Sequence, residues 1–374
     1  MSKKTHVLPS LSYSLKQTTP AKQARTPAKR PVMLHIKGVP DSNSILVQHF
    51  DPELGAFVYA YNGNLSMLAD EHLEGLEHHP LVLGGASPKR AEIPRVDFAF
   101  NYISDPDLSS KALEAAIEFV DSNGIPCLNH PAKVKQTSRD RLYQNLGHMD
   151  GIVIPKTLRV APHYSSDIQE IIERGDISLP IIVRPAGGHD GLDMLLLKSL
   201  DDIPKLECFA LDGRDYYLIE FHDYRSNDAL NRKYRCLWIN GKLYARHLII
   251  DKEWNIHGRN RKNLMQHDKT LQQEDVAFLE DPETVLGTGR WNLLSKFCKS
   301  TGLDYCGIDF AVKQTGEILV FEANPAMNTS KTKSDNAAYI GKYWLEHEKV
   351  KIQMLKEMAK RVQGAGDSVG NNIQ

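Results

Sequence analysis

Two carboxylates and an amide near the C-terminal end of the sequence are spaced to grip a hard cation. Asp309 lies in one run of alternating apolar residues, and Glu322 and Asn324 lie in a second. Thr315-Gly316 between them signals a turn, so 305–328 reads as a β-hairpin. A four-residue loop over 314–317 pairs Lys313 with Ile318 and Asp309 with Glu322. That register puts Ile308, Phe310, Val312, Leu319, Phe321 and Ala323 on one apolar face. The other face carries Asp309 and Glu322 side by side, with Asn324 two residues on. Like charges directly opposite one another in a sheet repel, so the pair needs a counter-ion. Oxygen donors of this kind suit Mg²⁺, which keeps several waters and is completed by substrate phosphates. The competing reading is that both acids simply end a solvent-facing strand pair.

Cationic groups recur upstream. Asn240-Gly241 between 232–239 and 242–250 is a strong hairpin signal. A two-residue turn pairs Ile239 with Lys242, hence Arg235 with Arg246 and Lys233 with Leu248. Facing guanidiniums repel by up to about 1 kcal/mol unless they swing into solvent, meet Glu220 or Asp223, or hold an anion. Arg suits bidentate contact with carboxylate or phosphate. Earlier still, a strand over 179–184 runs into Pro185-Ala186-Gly187-Gly188-His189-Asp190-Gly191, with another strand over 194–197. Three glycines there make either a flap whose backbone N–H groups close over phosphates or an ordinary hairpin loop.

The elements that must position these groups divide 374 residues into two or three domains. Residues 1–31 hold seven Lys or Arg and no acid and read as a disordered basic tail. Residues 32–130 read as an open α/β domain, with strands over 32–36, 44–47 and 96–102 and helices over 64–77 and 107–123. Asp107 is the expected N-cap of the second helix and Gly124 its stop. No GxGxxG follows a strand, so dinucleotide binding is not expected. Residues 131–225 form a central domain carrying the glycine flap, with helices over 139–146 and 164–174. Residues 226–362 form a C-terminal domain with the metal site and helices over 284–300 and 334–362. Residues 363–374 read as a second disordered tail.

Composition limits the function classes. Outside the basic tail the formal charge is −8, which gives no support for nucleic-acid binding. No apolar run is long enough to span a bilayer, and no signal-peptide core appears near the start. Cys127, Cys208, Cys236, Cys298 and Cys306 are scattered without CxxC spacing, which points to a reducing, cytoplasmic setting and away from structural zinc.

Taken in order, these pieces resemble the ATP-grasp superfamily of carboxylate–amine ligases, whose members include glutathione synthetase and the ribosomal-protein glutamate ligases. The resemblance covers about 129–328. Asn129-His130-Pro131 followed by Ser138-Arg139-Asp140-Arg141-Leu142 looks like the family's N-x-P … R-D-K-L. Ile182-Val183-Arg184-Pro185 with the flap looks like V-V-K-P … G. Tyr217-Leu218-Ile219-Glu220-Phe221 resembles the adenine-holding hinge strand, Tyr234-Arg235 with Asn240-Gly241 the family's arginine hairpin, and Asp309 with Glu322-Ala323-Asn324-Pro325 its metal-binding D … E-x-N-P. Two positions depart from the pattern: Arg141 and Arg184 stand where the family has lysines.

The resemblance implies an α/β protein, α+β in its ATP-binding part, preceded by the open α/β domain. It implies transfer of the γ-phosphoryl of ATP to a carboxylate, then attack by an amine. Asp309, Glu322 and Asn324 would hold one or two Mg²⁺. Arg141 and Arg184 would contact phosphates beneath Gly187, Gly188, His189 and Gly191, and Glu220 and Phe221 would meet adenine or ribose. Arg235 would steady the carboxylate substrate and the tetrahedral intermediate; Arg246 and His247, which match no general signature of the family, are expected to complete the catalytic set on the substrate side. Expected partners are ATP, a small-molecule or peptide carboxylate and an amine acceptor, with a homodimer allowed and no nucleic acid or membrane. A non-catalytic ATP-binding regulator and a carboxylase or phosphate-transfer enzyme of the same fold are the alternatives. Trp254, Asn255, Ile256 and His257 match no general signature and are expected to belong to the substrate.

Overall fold

The computed structural model describes residues 11–15, 30–52, 56–60, 76–85, 89–93, 95–188, 191, 193–325, 327 and 341–370. It is a mixed α/β protein built on three larger sheets. The N-terminal sheet is parallel, in the order Glu77–Leu83, Val32–Gly38, Phe98–Asn101, Cys127–Leu128. Its two inner strands are almost wholly buried and apolar, as strands covered on both faces must be. Helix Ser110–Ser122 covers one face with Ala112, Leu113, Ala116, Phe119 and Val120. Met33, Phe98 and Phe100 on the other face pack with Met354, Leu355 and Met358 of the last helix, Gly341–Gly370.

The central sheet is antiparallel, in the order Thr157–Val160, Tyr216–Glu220, Ile181–Pro185, Leu195–Leu197. Its own core gathers Ile168, Ile181, Val183, Leu197 and Leu206. The C-terminal sheet runs Lys242–Asp251, Asn231–Ile239, Tyr305–Val312, Ile318–Asn324, Ile152–Val153. Only its last pairing is parallel. Ile152–Val153 therefore crosses from the expected central domain into the C-terminal sheet, and the last helix crosses back onto the N-terminal one.

Several expected elements differ. The strand expected over 44–47 is Leu46–Asp51, paired with Ala56–Ala60. The helix expected over 64–77 lies outside the described residues except at its end, where Glu77 opens a strand. Asp107 is not an N-cap. Asp105 Oδ1 accepts the N–H groups of Asp107 (2.8 Å) and Leu108 (3.1 Å), which turns the chain before Ser109 and frees Asp107 to point elsewhere. The single helix expected over 284–300 is two, Pro282–Leu286 and Thr288–Thr301, because Gly287 takes φ +84° between them. Lys269–Glu280, a helix that periodicity did not single out, caps the Leu248 N–H through Asp275 at 2.7 Å.

Of the expected tail, 1–10 and 16–29 lie outside the described residues, and Leu11–Leu15 pairs in parallel with Lys89–Ile93. The final helix is described from Gly341, so 334–340 of the expected helix lie outside the described residues. It is helical to Gly370, past the expected end at 362, and 371–374 lie outside. Among the described residues no helix is long and apolar enough to cross a membrane.

The last helix also carries a titratable group. His347 is 3% exposed and donates Nε2–H to the Ala245 carbonyl at 3.0 Å. Burial, then the Arg246 cation, push its pKa from 6.5 down to about 4. A group depressed in the folded state contributes stability that is full above its unfolded value and is lost as pH falls through the folded one. Stability is therefore expected to fall by about 3 kcal/mol between those two values. His347→Gln, which keeps a donor for Ala245, should flatten the pH dependence of the urea midpoint on the acid side of 6.5. An unaltered slope would refute the assignment.

Candidate functional site

A cavity of about 360 Å³ opens between the central and C-terminal sheets. Its floor is the hairpin of Tyr305–Val312 and Ile318–Asn324. Asp309 does stand opposite Glu322, but by a different route from the expected one. The turn is a residue longer, with Val312 rather than Lys313 opposite Ile318. It is closed by Lys313 N–H to Glu317 O (2.9 Å) and Gly316 N–H to Lys313 O (2.8 Å). A bulge beside Asp309 leaves Phe321 unpaired and restores the register. Leu319 and Phe321 consequently line the cavity instead of the apolar back, where Val320 is buried in their place.

Asp309 is 1% exposed and is held by Arg235 (Nε–Oδ1 2.5 Å, Nη2–Oδ2 2.7 Å) and by Lys233 (Nζ–Oδ2 2.8 Å). Burial opposes its charge, but Arg235 and Lys233 outweigh it and keep the carboxyl well below the ordinary range. Glu322 meets Arg139 Nη2 at 2.5 Å. There too burial opposes ionisation and Arg139 prevails, so both acids are carboxylates. Asn324 Nδ2 stands 3.5 Å from Glu322 Oε1. Among the described residues no cluster of three His, Cys, Asp or Glu forms a metal cage. Two ionised carboxylates and an amide fit Mg²⁺, a cation that keeps waters and relies on few protein oxygens.

The Asn240-Gly241 hairpin corrects a second register. Ile239 pairs with Lys242 as expected, but a shift between Arg235 and Cys236 pairs Arg235 with His247 and Lys233 with Ile249. Arg246 is the extra residue of that bulge. It is 4% exposed, outside the cavity lining, and lies near His347 and Lys351 of the last helix. Arg235 instead faces Asp309 across the neighbouring strand. His247 also lies outside the lining; burial, then Arg235 and Arg261, push its pKa well below 6.5.

The opposite wall carries Arg184, 5% exposed. Its Nη2 donates to the Gly188 carbonyl and its Nη1 faces Met194 Sδ at 3.6 Å. Its Nε has no partner among the described residues. Burial and the like charge of Arg139 pull its pKa down to about 9. Arg141 is not there: it donates to the Lys135 carbonyl at 3.3 Å, outside the lining. Two residues along a helix turn through about 200°, so Arg139, not Arg141, faces the cavity from Arg139–Leu146.

Gly188 and Gly191 border the cavity, while Gly187 turns toward Leu108 and Asp107. His189 lies outside the described residues. Gly191, at φ +59°, approaches His257 so closely that a Cβ would stand 1.6 Å from its Nε2. Any side chain there would be strained and would have to displace the His257 ring.

Glu220, Phe221 and His222 close the far end. The Phe221 N–H is bonded to Pro180 O (3.0 Å) and the Glu220 N–H to Lys156 O (2.9 Å). Both amides are thus engaged within the protein, while Glu220 and Phe221, expected to meet adenine or ribose, line the cavity here. Phe221 meets Trp254 edge-on, with ring centroids 5.6 Å apart. His222 Nε2 is 3.5 Å from Glu220 Oε2, yet burial keeps its pKa below 6.5. Trp254, Asn255 and His257, expected to belong to the substrate, line this end too. Asn255 Nδ2 donates to the Gly191 carbonyl (3.1 Å), and its Oδ1 faces His257 Nε2 at 2.5 Å. Their signal in the sequence was only that they matched no common pattern.

No protein-family model and no curated protein matches the sequence. Solved structures do. The D-alanine–D-alanine ligase from Bacillus anthracis complexed with ATP is 16% identical, matched over 90% of this chain and 99% of its own, with a TM-score of 0.46. The D-alanyl-alanine synthetase A from Vibrio cholerae is 13% identical over 89% of this chain and 98% of its own, with a TM-score of 0.49. In structure the chain is also similar to a RimK domain protein ATP-grasp from Sphaerobacter thermophilus, at 15% identity over 79% of this chain and 98% of that one, with a TM-score of 0.44.

Proposed function

We propose that the protein is an ATP- and Mg²⁺-dependent ligase of ATP-grasp type that joins a carboxylate to an amine, acting on an amino acid, a peptide or a related small molecule. The observation that carries this reading is Arg184, a buried cation whose Nε has no partner among the described residues, on one wall of the cavity, facing an ionised Asp309–Glu322 pair on the floor. A buried guanidinium without a hydrogen-bonded carboxylate is costly until an anion reaches it. A pair of carboxylates side by side is stabilised by cations. A triphosphate with its divalent ion answers both needs.

Arg184, Arg139, Gly188 and Gly191 would receive the phosphates. Phe221 and Trp254 would flank the base, and Glu220 would take the ribose or the exocyclic amine. Asp309, Glu322 and Asn324 would hold Mg²⁺, which would supply neutralisation of phosphate charge. Arg235 and Lys233, now spent on Asp309, would turn to the carboxylate substrate and its tetrahedral intermediate. A carboxylate oxygen attacks the γ-phosphorus and ADP leaves. The amine then adds to the acyl carbon and phosphate leaves, giving the amide. The protein's part is positioning and charge neutralisation.

The hold of Arg235 and Lys233 on Asp309 also favours a second reading, a nucleotide binder without turnover. ADP release separates the two. With Mg²⁺, ATP and pooled amino acids or peptides, the ligase is expected to release ADP and form products whose mass equals both acceptors less water. Tight ATP binding with no ADP from any acceptor would establish the binder instead.

A further inference from the structure

On the central sheet, Arg159, Tyr217 and Arg184 stand opposite one another on three adjacent strands, so their side chains share one face. Arg184 reaches the cavity at one end of the row, and Arg159 lies outside it at the other. Arg159 meets three carboxylates from three parts of the chain. These are Asp107 of the N-terminal layer (Nη2–Oδ1 2.5 Å), Asp140 of the Arg139–Leu146 helix (Nε–Oδ2 3.2 Å) and Asp215 ahead of the Tyr216–Glu220 strand (Nη1–Oδ2 2.9 Å). Tyr217, fully buried between the two guanidiniums, donates its hydroxyl to Asp107 at 2.7 Å. The Arg159 guanidinium carbon stands 4.8 Å from the Tyr217 ring centroid.

Each of the three acids is also joined to a segment that carries a residue of the cavity wall. Asp107 accepts the Gly187 N–H at 3.4 Å. Asp140 adjoins Arg139 on one helical turn. The Asp215 carbonyl accepts the Ala186 N–H at 2.9 Å. Without Arg159 the three carboxylates would repel one another, and the pieces they hold would part. Burial and Arg139 draw charge from Arg184, while Glu322 and Asp107 help to keep it.

We propose that Arg159 is a positioning residue: by binding Asp107, Asp140 and Asp215 it fixes the Ala186-Gly187 turn, Arg139 and Arg184 relative to one another, and so assembles the wall that receives a ligand's phosphates. This inference rests on the nucleotide reading above.

Full-length wild type, Arg159→Met and Arg159→Lys are compared by titration calorimetry with a non-hydrolysable ATP analogue plus Mg²⁺ and, separately, with adenosine. Arg159→Met is expected to weaken the triphosphate about tenfold or more and to leave adenosine within about twofold, with Arg159→Lys recovering part of the loss. A merely structural role would weaken both ligands alike, and that result overturns the proposal. A Met variant that binds triphosphate as wild type does, or a Lys variant no better than Met, also overturns it. If wild type itself binds no triphosphate, the nucleotide reading fails and takes this inference with it. If wild type and Arg159→Met bind it equally, the inference alone falls.

Discussion

Glu322→Gln is expected to cut ADP release by about three orders of magnitude while leaving the fold intact. Gln keeps the shape of Glu and still offers Arg139 a carbonyl oxygen, so the contact now at 2.5 Å survives as a weaker one. What disappears is the charge that a divalent ion would need beside Asp309. Asp309→Asn is a poorer probe. It strips Arg235 and Lys233 of a shared counter-ion in a site 1% exposed, and breaking a buried pair costs about 3–5 kcal/mol. Lost turnover would then be confused with lost fold. Glu322→Gln should therefore be checked by far-ultraviolet circular dichroism and a thermal melt beside the ADP assay. Wild-type turnover in that variant would remove the metal assignment.

Arg184→Met is expected to move binding and stability in opposite directions. Affinity for MgATP should drop about 100-fold, since charge-assisted contacts to phosphate are among the stronger hydrogen bonds. The thermal midpoint of the free protein should rise by a few degrees, because a buried cation held, among the described residues, by one carbonyl and one sulfur gives way to a side chain of similar length that suits the interior. Burial already pulls its pKa to about 9, the sign of a charge kept at a cost in the free protein. Calorimetric titration and a melt measure both effects. A variant that melts lower and binds as before would mean that Arg184 is a structural residue with no anion to meet.

Part of this site is legible in the sequence. A hairpin that brings Asp309 and Glu322 side by side, and a glycine loop after the Ile181–Pro185 strand, follow from alternation and turn residues close together in the chain, whereas the pairing of Arg235 with Asp309, 74 residues apart, does not. The misreadings share one cause. Bulges at Arg246 and Phe321 each insert one residue into a ladder, and a period of two cannot reveal a single skipped partner. Arg246 thus left the site, and Leu319 and Phe321 entered it. Arg141 failed for a related reason. Helical period separates it from Arg139, but which of the two faces the cavity depends on where the helix docks.

By itself the sequence determined the kinds of groups available and which hairpins and turns carry them: hard oxygens on one hairpin, guanidiniums on another, glycines where the backbone must come close. These are decisions made by neighbours in the chain, where alternation and turn chemistry suffice. Only the tertiary structure decided that Arg139 rather than Arg141 meets Glu322, that Trp254 reaches Phe221, and that Arg159 gathers acids from positions 107, 140 and 215. Such meetings depend on how whole sheets stack, and that is set by the shape of many buried side chains together, which no short window of residues contains.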